Sequence, residues 1–267
     1  MDIDAYLRRI GWEGAVDPTP ETLSALVARH VASIPFENLN PFLGLAVDID
    51  PAALEEKLVR NRRGGYCFEQ NAIFALALEA LGFRASGLAA RVLWNGPEDA
   101  ITQRSHMLLR IELEGRTWLA DVGFGGNTPT GPLLLEEGTE QETPHETYRL
   151  TRIDDGDWRM QALIRDEWKT LYRFDLQRQY PVDYVATNYF LSTSPSSHFV
   201  TGLVAARAVE GKRLALRGRE FAIHHMDGET ERRRLESAAE IVEVLDRDFL
   251  ITPPPVPDLR ARLDTIA

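Results

Sequence analysis

Three residues of this chain have the types to build an activated thiol: Cys67, its only cysteine, His106 and Asp121. A thiolate is a strong nucleophile, an imidazole can take its proton, and a carboxylate can fix the imidazole tautomer and stabilise the imidazolium. A lone cysteine is most often an inert buried residue, so the case rests on where it stands. The run Arg63-Gly64-Gly65-Tyr66-Cys67-Phe68-Glu69-Gln70-Asn71 leads into an apolar helix pattern that Gly82 ends. Gly64 and Gly65 are expected to turn the chain sharply by adopting positive φ. Cys67 then falls in the first turn of a helix that is apolar almost all round, and hence buried. Free amides and the positive end of the dipole favour an anion there, so the thiol is expected to ionise readily.

His106 and Asp121 must be supplied by strands. Two apolar-rich runs, residues 105–113 and 116–123, flank Glu114-Gly115, which reads as a two-residue hairpin turn. That turn pairs Leu113 with Arg116. Counting back sets Leu108 opposite Asp121, and His106 on the same face becomes the diagonal neighbour of Asp121. The loop that follows, Gly123-Phe124-Gly125-Gly126-Asn127-Thr128-Pro129-Thr130-Gly131-Pro132, has amides able to form an anion nest. It lacks the lysine and the helix of a Walker loop.

Around these stretches, residues 1–82 read as helical. Thr19-Pro20-Glu21 starts a helix with Leu23, Leu26, Val27, His30 and Val31 on one face, His30 being a core or boundary histidine, and Asp50-Pro51 starts another. Residues 34–40 read as a loop. Strands are expected at 87–94, 147–153, 158–164 and 168–175, with a turn at Asp154-Asp155-Gly156. Residues 181–190 read as a helix leading to a hydroxyl-rich loop. Short strands at 203–209, 213–217 and 220–225 precede a helix at 236–245. Arg232-Arg233-Arg234 reads as a solvated helix face. His224 and His225 face opposite sides of a strand and are not read as a metal site.

Composition narrows the function. The chain of 267 residues carries 30 Lys and Arg against 41 Asp and Glu, a net charge of −11. That balance argues against nucleic acid and against an anionic membrane as partner. One cysteine excludes an intramolecular disulfide and a cysteine-cluster metal site. No apolar run reaches membrane-spanning length and no basic-then-apolar signal opens the chain, so the expectation is a cytoplasmic protein.

Five separated stretches together resemble the arylamine N-acetyltransferases. They are residues 63–71, Ile34-Pro35-Phe36-Glu37-Asn38-Leu39, Ser105-His106, Asp121-Val122-Gly123-Phe124-Gly125 and Ser192-Thr193-Ser194-Pro195-Ser196-Ser197-His198-Phe199. The resemblance implies an α+β fold with a cysteine-protease-like core. Its parts would be an N-terminal helical bundle (1–84) carrying the nucleophile, a central antiparallel β-barrel (85–190) carrying His106 and Asp121, and a C-terminal α/β lid (191–267). It implies a ping-pong reaction with acetyl-CoA as cosubstrate, no metal, and an arylamine, arylhydrazine or N-hydroxyarylamine acceptor. Phe36, Val92, Phe124 and Phe199 would wall the acceptor pocket. Thr102, Gln103, Gly125, Gly126, Phe190 and Ser196 would contact coenzyme A, and the Cys67 amide with the Thr102–Gln103 backbone would hold the oxyanion. Three other readings share these residues: an amide synthase that releases or cyclises a polyketide-type chain, a cysteine peptidase or transglutaminase-like enzyme, and a binding protein that kept the pocket.

Overall fold

The computed structural model describes residues 1–153 and 156–266. Helix α1 (Ile3–Arg9) is capped by Asp2, whose carboxylate accepts from Ala5 N at 2.9 Å. Thr19 caps α2 (Pro20–Ser33) in the same way, with Pro20 at the first helical position. The face expected from the spacing is the buried one: Leu23, Leu26, Val27, His30 and Val31. The stretch expected as a loop is more ordered than that. It forms a two-residue strand β1 (Phe36–Glu37) and a short helix α3 (Leu39–Phe42). Helix α4 (Pro51–Leu54) continues as a π-helical segment, Glu55–Arg60. Helix α5 (Cys67–Ala80) begins at the cysteine and is followed by Gly82 at φ +86°. Only a residue free of Cβ takes that conformation cheaply, which is why the helix stops there.

Eight antiparallel strands follow: β2 (Arg84–Val92), β3 (His106–Leu113), β4 (Arg116–Ala120), β5 (Leu133–Leu134), β6 (Gln141–Glu142), β7 (Thr147–Arg152), β8 (Trp158–Ile164) and β9 (Glu167–Phe174). Their order is β5-β4-β3-β2-β9-β8-β7-β6. The sheet curls into a nearly closed barrel, and a side chain spans the remaining gap. The Gln141 amide accepts from Leu134 N at 2.7 Å and donates to Leu134 O at 2.9 Å. Leu88, Leu108, Tyr148, Leu150, Met160, Leu171 and Tyr172 fill the interior. The turn read at 154–156 has Asp154 and Asp155 outside the described residues.

Helices α6 (Pro181–Thr193) and α7 (His198–Thr201) lead to a second sheet of β10 (Val204–Val209), β11 (Lys212–Arg217), β12 (Glu220–His225) and β13 (Thr230–Arg234). β1 adds to it as the edge strand, Phe36 opposite Ala206. Helices α8 (Ala238–Arg247) and α9 (Leu259–Asp264) cover this sheet through Leu214, Leu216, Phe221, Ile241, Val244 and Leu263. Arg232-Arg233-Arg234 is not a helix face: it ends β13, paired to β12 and exposed. Charged side chains on an edge strand discourage further pairing, and Arg233 also lies over the Phe221 ring at 5.8 Å. The whole is the expected α+β arrangement of helices, barrel and a C-terminal sheet-and-helix layer.

Candidate active site

The hairpin has the register read from its turn. Leu113 pairs with Arg116 and Leu109 with Ala120. Glu114 and Gly115 both take positive φ, 51° and 73°, the twist a two-residue hairpin turn requires. His106 opens β3 and Asp121 follows β4. Their side chains meet, His106 Nε2 lying 2.6 Å from Asp121 Oδ2, and both are buried. Helix α5 packs against β3 and β2, so its first residue arrives at the same place. The Cys67 thiol donates to Ser105 O at 3.7 Å, and Cys67 is among the groups that raise the proton affinity of the His106 ring. Because Nε2 is taken by Asp121, the nitrogen left for the thiol is Nδ1.

Burial alone would lower the proton affinity of His106. The charge and hydrogen bond of Asp121 overcome it, with Cys67 adding to them, so the imidazole is held above its ordinary value. Burial would raise Asp121, and its neighbours reverse that too: His106 first, then Gly123 N at 2.9 Å and Asn71 Nδ2 at 3.2 Å on Oδ1. A further donor reaches Asp121 Oδ2 from across the barrel, the Tyr172 hydroxyl at 2.9 Å. The Tyr172 ring also lies 5.0 Å from that of His106. Nothing in the sequence marks Tyr172, which sits 51 residues from Asp121.

Asn71, one turn after Cys67, ties the helix to the hairpin. Its Nδ2 donates to Met107 O at 2.7 Å and its Oδ1 accepts from Val122 N at 3.1 Å. Gln70 ties it to the preceding loop, donating to Pro35 O at 2.7 Å. With Gln70 Nε2 spent on carbonyls, its Oε1 faces His30 Nε2 at 2.8 Å, so that nitrogen carries the proton and Nδ1 accepts from Tyr6 OH at 2.8 Å. His30 is thus a bonded core residue, as expected.

The glycines before Cys67 act differently from expectation. Neither Gly64 nor Gly65 has positive φ. They are small because the chain passes too close to its neighbours. A Cβ on Gly64 would lie 2.0 Å from Pro35 O, and one on Gly65 would lie 2.7 Å from Glu69 Oε2. Glu69 is buried, accepts from Tyr66 N at 3.1 Å and pairs with Lys57 at 2.6 Å. Arg63 pairs with buried Glu37 at 2.6 Å on the other side of the turn.

The expected acceptor walls divide between two clusters. Phe36 and Phe199 pack 6.1 Å apart in the core that includes Cys67, and Tyr66 meets Phe199 at 5.3 Å. Phe124 packs on the barrel side, edge-on to His106 at 5.1 Å. Val92 ends β2 opposite Tyr172, and its carbonyl accepts from Thr102 Oγ1 at 3.0 Å. Of the expected coenzyme contacts, Gly125 is buried against Phe36 and Gly126 is exposed with open space where a Cβ would be. Thr102 and Gln103 lie in the loop before β3, while Phe190 and Ser196 are exposed on and just after α6. A groove of about 1240 Å³ between the barrel and the second sheet includes Gly126 but none of these other positions and none of the trio.

Cysteine at a helix start, histidine and aspartate within one buried cluster suit acyl transfer through a thioester on the protein. A family model described as N-acetyltransferase matches residues 19–253. The chain is 46% identical over 253 residues, 93% of its length and 89% of the relative's, to a protein named arylamine N-acetyltransferase from Mycobacterium tuberculosis. The chain belongs to the arylamine N-acetyltransferase family. A family member of that name from Escherichia coli is 41% identical over 92% of this chain and 88% of its own. The solved structure of the Mycobacterium marinum enzyme in complex with CoA superposes with a TM-score of 0.95 at 44% identity, covering 100% of both chains. Among the described residues, no group of three or more His, Cys, Asp or Glu side chains is placed to hold a metal ion, and no helix is long and apolar enough to cross a membrane.

Proposed function

We propose that this protein transfers an acetyl group from acetyl-CoA to the nitrogen of an arylamine or arylhydrazine, or to the oxygen of an N-hydroxyarylamine, through an acetyl-Cys67 intermediate. The observation that carries this reading is the buried Cys67–His106–Asp121 cluster, with His106 held above its ordinary proton affinity. His106 Nδ1 takes the thiol proton, and the sulfur attacks the thioester carbonyl carbon. The Cys67 amide at the start of α5 has no helical partner and is available to the oxyanion. The carbon–sulfur bond to CoA breaks, and the imidazolium returns its proton to the departing sulfur. In the second half the acceptor attacks the acetyl-Cys67 carbonyl. His106 takes the acceptor's proton, the bond to Cys67 Sγ breaks, and the free enzyme is restored.

Phe36, Phe199 and Phe124 suit a flat aromatic acceptor, since two pack in or against the core that includes Cys67 and one flanks His106. Gly126 offers exposed backbone with no side chain in the way, a surface that a phosphate-bearing donor can approach. Donor and acceptor use one thiol in turn, which is the physical content of a ping-pong order. The test is intact-mass spectrometry of the protein with acetyl-CoA and no acceptor. An adduct of one acetyl group is expected, absent in Cys67→Ala and discharged by an aromatic amine. A Cys67 that reacts with iodoacetamide yet gains no acetyl group would overturn the donor and favour a carrier-bound acyl chain, the amide synthase reading.

A further inference from the structure

The turn after Phe124 is held from two layers of the molecule at once. Gly125–Asn127 forms one 3-10 turn, closed internally by Thr128, whose N and Oγ1 both donate to Gly125 O at 3.2 and 2.9 Å. Its outer carbonyls are taken elsewhere. Arg213, on β11 of the second sheet, donates from Nη2 to Thr128 O at 2.9 Å. The Tyr148 hydroxyl, on β7 of the barrel, is shared between Asn127 O and Glu146 Oε2, each at 3.2 Å. Glu146, just before β7, is the hub: Arg213 Nε donates to its Oε1 at 2.7 Å, and Arg213 Nη2 reaches its Oε2. Arg213 is 5% exposed, and Glu146 is largely buried with it.

An ion pair this buried is a poor source of net stability, because desolvation offsets the attraction. What a forked guanidinium–carboxylate pair does supply is geometry. Here the geometry it fixes is that of two successive carbonyls in the turn that follows Phe124, the ring lying edge-on to His106. Gly126, Asn127, Glu146 and Arg213 also line the same groove between barrel and second sheet. The cluster therefore lies where a ligand entering that groove would meet the turn.

We propose that Arg213 and Glu146, with Tyr148, are positioning residues that hold the Gly125–Thr128 turn in register for the phosphate-bearing part of the donor, so that the second sheet takes part in donor selection. The proposal rests on the acetyl-CoA reading above. It predicts a split between donors. Acylation of Cys67 is measured in the full chain with acetyl-CoA and with p-nitrophenyl acetate, a small ester that carries no phosphate. The variants are Glu146→Gln and Tyr148→Phe, the second removing only a hydroxyl and keeping the ring. In Glu146→Gln the KM for acetyl-CoA is expected to rise about tenfold, and in Tyr148→Phe about threefold, each at least threefold or so more than the change seen with the small ester. Equal losses with both donors, or no change with either, would overturn the proposal while leaving the acetyl-CoA reading intact. A wild-type chain acylated by the small ester but not by acetyl-CoA would overturn the donor reading and this proposal together.

Discussion

Replacing Gly123 by alanine drives a methyl group into the start of α5. The added Cβ would lie 2.8 Å from Cys67 Cα and from Asn71 Nδ2, and 3.2 Å from Cys67 O. Ordinary contact begins at 3.4 Å, leaving a shortfall of about 0.6 Å. Two of the three atoms are backbone and cannot rotate away. Asn71 is held by Met107 O and Val122 N, so its amide has little room either. His106 stays with Asp121, so the strain appears as a displacement of Cys67 from His106. Misplacing a reacting group by most of an ångström costs roughly 10- to 100-fold in rate. Overpacking of this kind costs about 1–3 kcal/mol of stability.

Two measurements separate these effects: urea unfolding, and the rate at which acetyl-CoA acylates Cys67. Gly123→Ala should remain folded at room temperature while acylation falls by about one to two orders of magnitude. Gly126→Ala is the packing control, since a Cβ there meets nothing within 4 Å, and its unfolding free energy should stay within about 0.5 kcal/mol of wild type. An acylation rate in Gly123→Ala within about twofold of wild type would refute the claim that glycine is required here to seat the thiol.

His106→Ala should slow alkylation of Cys67 by iodoacetamide at neutral pH on the order of a hundredfold; an unchanged rate would count against an activated thiol. The His106–Asp121 pair should give a stability window. His106 is held above its ordinary 6.5, so its contribution is complete below that pH and is lost as pH rises through the raised value. Asp121 is held below its ordinary 3.8, so its contribution is complete above that pH and is lost as pH falls through the lowered value. The wild-type advantage over Asp121→Asn in urea unfolding should therefore shrink at both ends. His30 is lowered from 6.5 to about 4, mainly by burial, so stability should fall as pH drops from 6.5 toward 4. That fall amounts to about 3 kcal/mol and should vanish in His30→Asn. Lys57→Met strands the buried Glu69 carboxylate and should cost about 3–5 kcal/mol in the same assay at neutral pH.

The parts of the fold legible in the sequence are those fixed by neighbours along the chain. Thr19-Pro20 announces α2 because a cap and a pre-set φ act within one turn. Glu114-Gly115 announces the β3–β4 register because two residues of positive φ dictate the pairing on either side. Other features have no local signature. The barrel is bridged by the side chain of Gln141 rather than by a strand pair. β1 is two residues long and has meaning only because Phe36 meets Ala206 far along the chain. Arg232-Arg233-Arg234 misleads because charge alone does not tell a helix face from an edge strand.

The trio was legible for a similar reason, and its support was not. Cys67 is placed by a helix start and Asp121 by a hairpin register, both local; only their meeting is tertiary. What makes the meeting rigid comes from farther away: the Tyr172 hydroxyl on Asp121 and Asn71 on the hairpin backbone. Glycine shows the limit most sharply. Gly64 and Gly65 are the residues a sequence marks, and conformational freedom is the reason it suggests. The structure gives another reason, the missing Cβ, and applies it equally to Gly123. A site built on close backbone approach writes glycine into the sequence without saying what approaches. Cys67, His106 and the turn beyond them are thus held by contacts in which the absence of an atom matters as much as the presence of one, and Gly123→Ala tests that directly.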